Sequence, residues 1–441
     1  DFSFTTTGAG LSSFSLDDDG GTDATLPATR TFTNLVPGTY TITEAALAGW
    51  SLTNLVIVET GGTANSSVNL ATRVATIIVE PGEDVVVTFT NTKLATITVN
   101  KDAVPNDSAD FSFTSNITGH LAFSLDDDSD GALSNSRVIS GLLPGTFTIT
   151  EAALGGWDLT GLVIVDPDNG SSVNLATGVA TIDVDAGENI TVTYTNTKRG
   201  SITVTKNALP DDAADFSFTT MGAGLSNFSL DDDGGTDATL PDTRTFTNLV
   251  PGTYTITEAA LAGWSLTNLA IVETGGIMNS STNLSTGVAT IVVDPGESVA
   301  VTFTNTKLAT ITVNKNAVPD DSADFSFTSN ITGHAAFSLD DDSDAALSNS
   351  RVIGGLLPGT FTITEAALGG WDLTSLVISD PDNGSTVDLT DRIATIDVDP
   401  GENITVTFTN RKRGSITVFK DALPDNGADF NFTTTGSGLS N

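Results

Sequence analysis

Cysteine is absent from the 441 residues. No disulfide can staple this chain, and no thiolate can ligate a metal. Basic residues are scarce: 17 lysines and arginines stand against 55 acidic residues, a formal net charge of −38. That excludes a nucleic-acid binder, which needs a basic face, and argues against docking on an anionic bilayer surface. The 2 histidines, His120 and His334, are too few to build a zinc centre without cysteine and read as surface residues. The sequence holds no Ser-His-Asp set and no glycine-rich phosphate loop. It has no apolar run of the roughly 18 residues a membrane-spanning helix needs. No secretory leader is visible, since Asp1 opens in mid-pattern; a targeting segment would have been removed or would lie outside this sequence. The 39% hydrophobic content suffices for packed cores and excludes a disordered acidic tail.

The scarcest large residue reveals the organisation. The 4 tryptophans fall at Trp50, Trp157, Trp264 and Trp371, always 107 residues apart, and such a period sets the architecture before any motif does. The phrase Asp-Phe-Ser-Phe-Thr begins at Asp1, Asp110, Asp215 and Asp324, with a variant at Asp429, in steps of 109, 105, 109 and 105. Two unit types therefore alternate. The expected domains are 1–93 (type A, lacking its first strand), 94–198 (type B), 199–307 (type A), 308–412 (type B) and 413–441, the first strands of a further type A unit. The expectation is a window on a longer array, or a tail that completes the head of a neighbouring chain.

Units of this length are ordinary single domains. Their local pattern is β: Tyr40-Thr41-Ile42-Thr43-Glu44 and Val85-Val86-Val87-Thr88-Phe89 alternate or favour β-formers, and Pro-Gly and Gly-Gly pairs punctuate them. The fold class is all-β, a tandem array of β-sandwich domains of about seven or eight strands each, forming an elongated rod. No helical segment stands out. The joint Asn91-Thr92-Lys93-Leu94-Ala95 leaves little slack, so the rod should be stiff.

Period-two parity places Lys101 on one side of its strand with Ile97 and Val99, Glu151 with Phe147 and Ile149, and Asn196 with Val192 and Tyr194. An ionisable or amide residue thus continues each inward apolar row. Burying the three is costly unless they meet. The same trio recurs as Lys206, Glu258, Asn305 and as Lys315, Glu365, Asn410; Glu44 and Asn91 stand without their lysine, and Lys420 stands alone. All 8 lysines fall at these strand positions or eight residues earlier, at 93, 198, 307 and 412. Burial lowers a lysine pKa and raises a glutamate pKa. A neutral amine beside a protonated carboxyl can attack the asparagine carboxamide and leave a Lys–Asn isopeptide bond. A satisfied buried polar trio is the other reading. Either way the chain is no enzyme beyond a single-turnover reaction on itself.

These residues carry a resemblance. Gly-Ser-Ile-Thr-Val-Thr-Lys206, Leu-Val-Pro-Gly-Thr-Tyr-Thr-Ile-Thr-Glu258 with Gly-Trp264 after it, and Val-Thr-Phe-Thr-Asn305 resemble the collagen-adhesin B-type (Cna-B, SpaA-like) repeats of bacterial surface proteins and pilins. The resemblance covers essentially every unit. It implies a prealbumin-like sandwich and bonds Lys101–Asn196, Lys206–Asn305 and Lys315–Asn410, assisted by Glu151, Glu258 and Glu365. By position, Glu44 and Asn91 belong to the same scheme. If the 441 residues are a whole subunit, the missing first strand at one end and the spare one at the other would let Lys420 pair with Asn91 of the next chain. Tryptophan stands where the family commonly has Tyr or Phe after Gly.

Acidic runs follow the second hydrophobic strand of each unit: Asp17, Asp19 and Asp23; Asp126, Asp128 and Asp130; Asp231, Asp233 and Asp237; Asp340, Asp342 and Asp344. The spacing Asp126, Asp128, Asp130, Gly131 matches the start of an EF-hand-like calcium loop. The match is partial, because position twelve is Arg137 and Ala345 replaces the glycine in the fourth unit. Further oxygens are available from Asp166, Asp168 and Asn169, or from Asp380, Asp382 and Asn383. Calcium is one reading; a solvated acidic turn that keeps a β-rod soluble is the other. Asn-x-Ser/Thr sequons at Asn65, Asn116, Asn169 and Asn189 fit a secreted protein, although a threonine-rich chain makes many by chance. The expectation is an extracellular structural rod or filament that self-associates into fibres, in a surface stalk, pilus-like fibre or biofilm matrix. The alternative is an adhesin that presents its loops to a host protein or glycan.

Overall fold

The computed structural model describes the chain except residues 19–24, 129–130, 236–238, 343–345, 426 and 440–441. The described residues form strands, turns and loops, with no helix. The second unit shows the plan. One sheet runs in the order Ser136–Leu142, Ala95–Val104, Asn189–Lys198, Trp157–Val165. The other runs Ala122–Leu125, Phe111–Ser115, Gly145–Glu151, Val179–Val184, Ser172–Asn174. The third and fourth units repeat both sheets. Among the described residues, nine strands per complete unit exceed the seven or eight expected. Ser172–Asn174 is a three-residue edge strand exposed throughout, so it carries no alternation for a sequence pattern to reveal.

The pairing of the unit's two end strands matters most. Ala95–Val104 and Asn189–Lys198 lie side by side and parallel, with Val99 opposite Val192, Lys101 opposite Tyr194 and Ala103 opposite Asn196. Parallel neighbours cannot be joined by a hairpin, and here the whole unit is the crossover between them. In the first unit Trp50–Thr60 and Asp84–Lys93 make a two-stranded sheet. The segment after Arg413 reads as strand sequence but forms none among its described residues. A first strand takes its ladder from the last strand of its own unit, whose residues lie about 95 positions further on in the complete units.

Inward rows from the two sheets meet in one core per unit. Ile97, Val99, Phe111, Ile149, Ile182, Val192 and Tyr194 are fully buried. Phe113 stacks on Phe123 and meets Tyr194 edge-on, at centroid distances of 5.1 Å in each case. Trp157 packs edge-on against Phe111 at 5.2 Å, and the Tyr194 hydroxyl donates to the Ile149 carbonyl at 2.7 Å. The tryptophan period thus marks a repeated packing position.

Adjacent units are tied closely. One residue, Leu94, Arg199 or Leu308, separates the last strand of a unit from the first of the next. At the second joint Gly296 N–H donates to the Lys198 carbonyl at 3.0 Å. A side chain at Gly296 would press on the Lys198 stem at 3.1 Å and on Pro105 at 3.2 Å. The Lys198 ammonium turns back to Asp107 at 2.6 Å and lies 5.6 Å from the Trp157 ring centre. Lys307 with Asp212, Trp264 and Gly401 repeats the arrangement. The lysines eight residues before the strand lysines are joint residues.

Truncating Phe113 to alanine should cost unit two ~3–5 kcal/mol, the usual range for a large aromatic removed from a dry core. Denaturant unfolding of the variant chain, followed by the fluorescence of Trp157 with the other tryptophans replaced by phenylalanine, measures this. An unchanged midpoint would contradict the packing described.

Candidate functional site

The three polar residues converge. Lys101 and Asn196 stand on neighbouring parallel strands of one sheet, and Glu151 faces them from the other, beside Phe113. Lys101 is 3% exposed, Glu151 6% and Asn196 3%. The Lys101 ammonium donates to Asn196 Oδ1 at 2.9 Å, to the Asp102 carbonyl at 2.8 Å and to the Tyr194 carbonyl at 3.2 Å. Its Nζ lies 3.9 Å from Glu151 Oε1 and 4.0 Å from the centre of the Phe111 ring.

Two further units hold the same geometry. Lys206 donates to Asn305 Oδ1 at 3.0 Å and lies 3.9 Å from Glu258. Lys315 donates to Asn410 Oδ1 at 2.9 Å and lies 3.6 Å from Glu365. Phe216 and Phe325 take the place of Phe111 under the amine. Phe111, Phe216 and Phe325 were not singled out from sequence. The recurring Asp-Phe-Ser-Phe-Thr phrase contains them, but it served there only to mark the repeat.

Electrostatics follow from burial. Desolvation pushes Lys101, Lys206 and Lys315 each down to about 8, against the pull of the facing glutamate. Desolvation pushes Glu258 up to about 7 and raises Glu151 and Glu365, while the lysine and asparagine partners pull the other way. The Oε1 atoms of Glu151, Glu258 and Glu365 are buried and make no hydrogen bond. An unsatisfied carboxylate oxygen in a dry core is costly; a protonated carboxyl is far less so. Burial thus brings the two groups close together, Lys206 at about 8 and Glu258 at about 7, so the charged pair still predominates but a minor population with a neutral, nucleophilic amine and a protonated carboxyl becomes accessible against the carboxamide.

The partial trios behave differently. In the first unit Asn91 Nδ2 donates to Glu44 Oε1 at 2.5 Å, Arg73 pairs with Glu44 Oε2 at 3.1 Å, and the buried Asn91 Oδ1 has no hydrogen-bond partner. Lys420 is exposed and donates to the Asp421 carbonyl. Arginines therefore enter the site at Arg73 and, in the fourth unit, at Arg392, which pairs with Glu365 Oε2 at 3.1 Å. Sequence reasoning missed both, although each replaces the glycine found at Gly178 and Gly287.

The acidic loops are partly placed. Asp19, Asp23, Asp130, Asp237 and Asp344 lie outside the described residues. Asp126, Asp231, Asp233 and Asp340 are buried; Asp128 and Asp342 each have partners. Asp17 accepts from Thr25 and Asp231 from Thr239, and Gly235 N–H donates to Asp233. Among the described residues, the carboxylates that converge to within 4.8 Å are Asp166, Asp168 and Glu188, and Asp380, Asp382 and Glu402. Glu188 and Glu402 were not among the residues singled out from sequence. The histidines are half-buried rather than free on the surface: His120 Nδ1 meets Arg137 at 3.0 Å and His334 meets Arg351 at 3.0 Å.

Four tandem β-sandwiches, three with a lysine–glutamate–asparagine trio bridging their sheets, define the class. The chain belongs to the family of prealbumin-like fold domains (SpaA_4), which matches residues 1–93, 97–198, 202–307 and 311–412. Comparison with curated proteins gives no match. Among solved structures, the Bacillus anthracis TIE protein is similar at 13% identity and a TM-score of 0.28, over 85% of this chain and 60% of its own. The pilus adhesin SpaC from Lactobacillus rhamnosus GG is similar at 13% identity and a TM-score of 0.30, over 86% and 57%. The major pilin from Streptococcus pyogenes is similar at 17% identity and a TM-score of 0.19, over 49% and 99%. The chain thus spans less than two thirds of the first two of these proteins. No helix among the described residues is long and apolar enough to cross a membrane.

If the unreacted trio is held by replacing Asn305 with alanine, unit three should be least stable between about pH 7 and 8. Glu258 binds its proton more tightly folded than unfolded, so stability falls as pH rises from the ordinary 4.5 to about 7. Lys206 binds its proton less tightly folded, so stability recovers as pH rises from about 8 to 10.5. Subtracting the pH profile of a variant that also carries Lys206→Met and Glu258→Gln isolates the pair. A flat difference across that range would refute the assignment.

Proposed function

We propose that this chain is part of an extracellular structural protein, a rod or filament at a cell surface, whose complete units each close a Lys–Asn isopeptide bond. The observation that carries this is the threefold recurrence of a buried amine on an asparagine Oδ1 at 2.9–3.0 Å with a raised-pKa glutamate beside it. Lysine Nζ attacks asparagine Cγ. The Nζ–Cγ bond forms, the Cγ–Nδ2 bond breaks and ammonia leaves. The glutamate carries the proton from Nζ to Nδ2 and, while protonated, polarises the carboxamide. No cofactor takes part. The Lys101–Asn196 bond closes a span of 95 residues, which in the chain-entropy account stabilises by about 4–5 kcal/mol. It also joins the strands by which the chain enters and leaves the unit, so tension passes along covalent bonds and bypasses the core. With one-residue joints, that suits a load-bearing fibre that associates with further copies.

Intact mass of the chain, purified natively and then unfolded, should fall short of the sequence mass by three ammonia. Glu258→Ala should restore one of them. The plain sequence mass would leave a non-covalent array and remove the proposed function's chemical basis.

Calcium is a second part of the proposal, placed at the turns after Trp157–Val165 and Trp371–Ser379 instead of at the Asp126 and Asp340 runs. The carboxylate sets Asp166, Asp168, Glu188 and Asp380, Asp382, Glu402 favour it, because convergent hard oxygens suit that ion. Millimolar calcium should raise the thermal midpoint of the chain, and Asp168→Asn with Asp382→Asn should abolish most of the rise. Equal midpoints in calcium and in chelator would leave these clusters as solvated turns.

A further inference from the structure

The trios are not equivalent. At the turn before the strand that pairs with the glutamate strand, units two and three carry Gly178 and Gly287, each with φ +66°. A Cβ at those points would lie 2.9 and 3.0 Å from the carbonyl oxygen of Glu151 and Glu258. Unit four carries Arg392 there, and it keeps the same left-handed backbone at φ 63°. That conformation is uncommon for a residue with a side chain. It brings the guanidinium to Glu365, with Arg392 Nη1 donating to Oε2 at 3.1 Å. Asn410 Nδ2 donates to the same oxygen at 3.1 Å, and Lys315 Nζ stands 3.6 Å from Oε1. Glu365 thus faces two cations, whereas Glu151 and Glu258 each face one.

We propose that Arg392 is a positioning residue that clamps the Glu365 carboxylate in an ion pair and so delays the Lys315–Asn410 bond, making unit four the slow cross-linker of this chain. The inference rests on the isopeptide reading given above and adds its regulation. The reactive arrangement needs the proton of the pair on Glu365 and a neutral amine on Lys315. A guanidinium in hydrogen-bonding contact favours the carboxylate, and it is nearer to Glu365 than the amine is. Arg392 thus selects the arrangement with charged amine and charged carboxylate, which does not react. It also disfavours the charge on Lys315, as burial does, while Glu365 and Asp341 oppose that. Both effects carry the working range of unit four to lower pH than that of unit three. The charged groups around the site are Lys315 on the first strand, Asp341 near it, Arg392 on the turn and Asp372, which Arg392 also reaches; Asn410 on the last strand is neutral. The two shifts oppose one another in the reactive population and the closer one, on Glu365, prevails; since one pKa unit of net difference is a tenfold change in population, the expected delay is severalfold, up to about tenfold.

The test uses the full chain. It is made by cell-free synthesis, quenched in denaturant at successive times and digested. Mass spectrometry then follows the linked peptide pairs of units two, three and four. In the unaltered chain the Lys315–Asn410 pair should accumulate severalfold, up to about tenfold, slower than Lys101–Asn196 and Lys206–Asn305. Arg392→Gly, which places in unit four the residue that units two and three carry, should bring it to their rate and move its pH optimum upward. Gly287→Arg should slow unit three alone. Equal rates in all three units, or an unmoved rate and pH optimum in Arg392→Gly, would overturn the inference while leaving the bond. Linked pairs missing from units two and three would overturn the bond itself, and the inference with it.

Discussion

The cost of keeping an ammonium, a carboxylate and an amide out of water organises this protein. Each alone would destabilise a sandwich core. Together, on the two sheets, the lysine bonds the asparagine and two backbone carbonyls, and one carboxylate oxygen is left without a hydrogen-bond partner. That remaining oxygen, with the burial of the amine, narrows the amine's hold on the proton and makes the protonated glutamate accessible. The inward rows of apolar residues, the aromatic ring under each amine and the parallel pairing of the end strands all serve to hold the three together.

Parallel pairing of first and last strand has a mechanical meaning that an antiparallel sandwich would lack. A load on the chain would enter a unit on Ala95–Val104 and leave it on Asn189–Lys198, so pulling would shear the two strands past each other. Shear loads many ladder hydrogen bonds at once. A lysine and an asparagine facing each other across that ladder are therefore where a covalent link would protect the unit best. The joints extend the logic: a one-residue connection and a glycine turn of the next unit seated on a lysine stem, itself held by an ion pair within its own unit, leave few soft dihedrals between domains.

Much of this was legible in the chain itself. Period-two parity put Lys101, Glu151 and Asn196 on inward rows, and the tertiary structure brings them within hydrogen-bonding or ion-pairing reach. The 107-residue tryptophan period located a packing position. The family comparison agrees with the resemblance read from the three motifs. Less was legible at Arg392 and Arg73. Each sits in a turn, where neither periodicity nor propensity constrains a side chain, and contact with the glutamate depends on a left-handed residue aiming it. Glu188 and Glu402 escaped notice for a similar reason: they lie about twenty residues from the aspartates they approach, and only the sandwich closes that distance.

Composition, repeat length and alternation by themselves determined an acidic, cysteine-free, all-β array with polar residues on its inward rows. Those features are local, and each strand's pattern states which side is buried. Which rows face one another was decided by the tertiary structure, because strand order and sheet-to-sheet apposition are long-range pairings. The register of Lys101 beside Asn196, the reach of Glu151 from the opposite sheet and the arginine that distinguishes the fourth unit all depend on it.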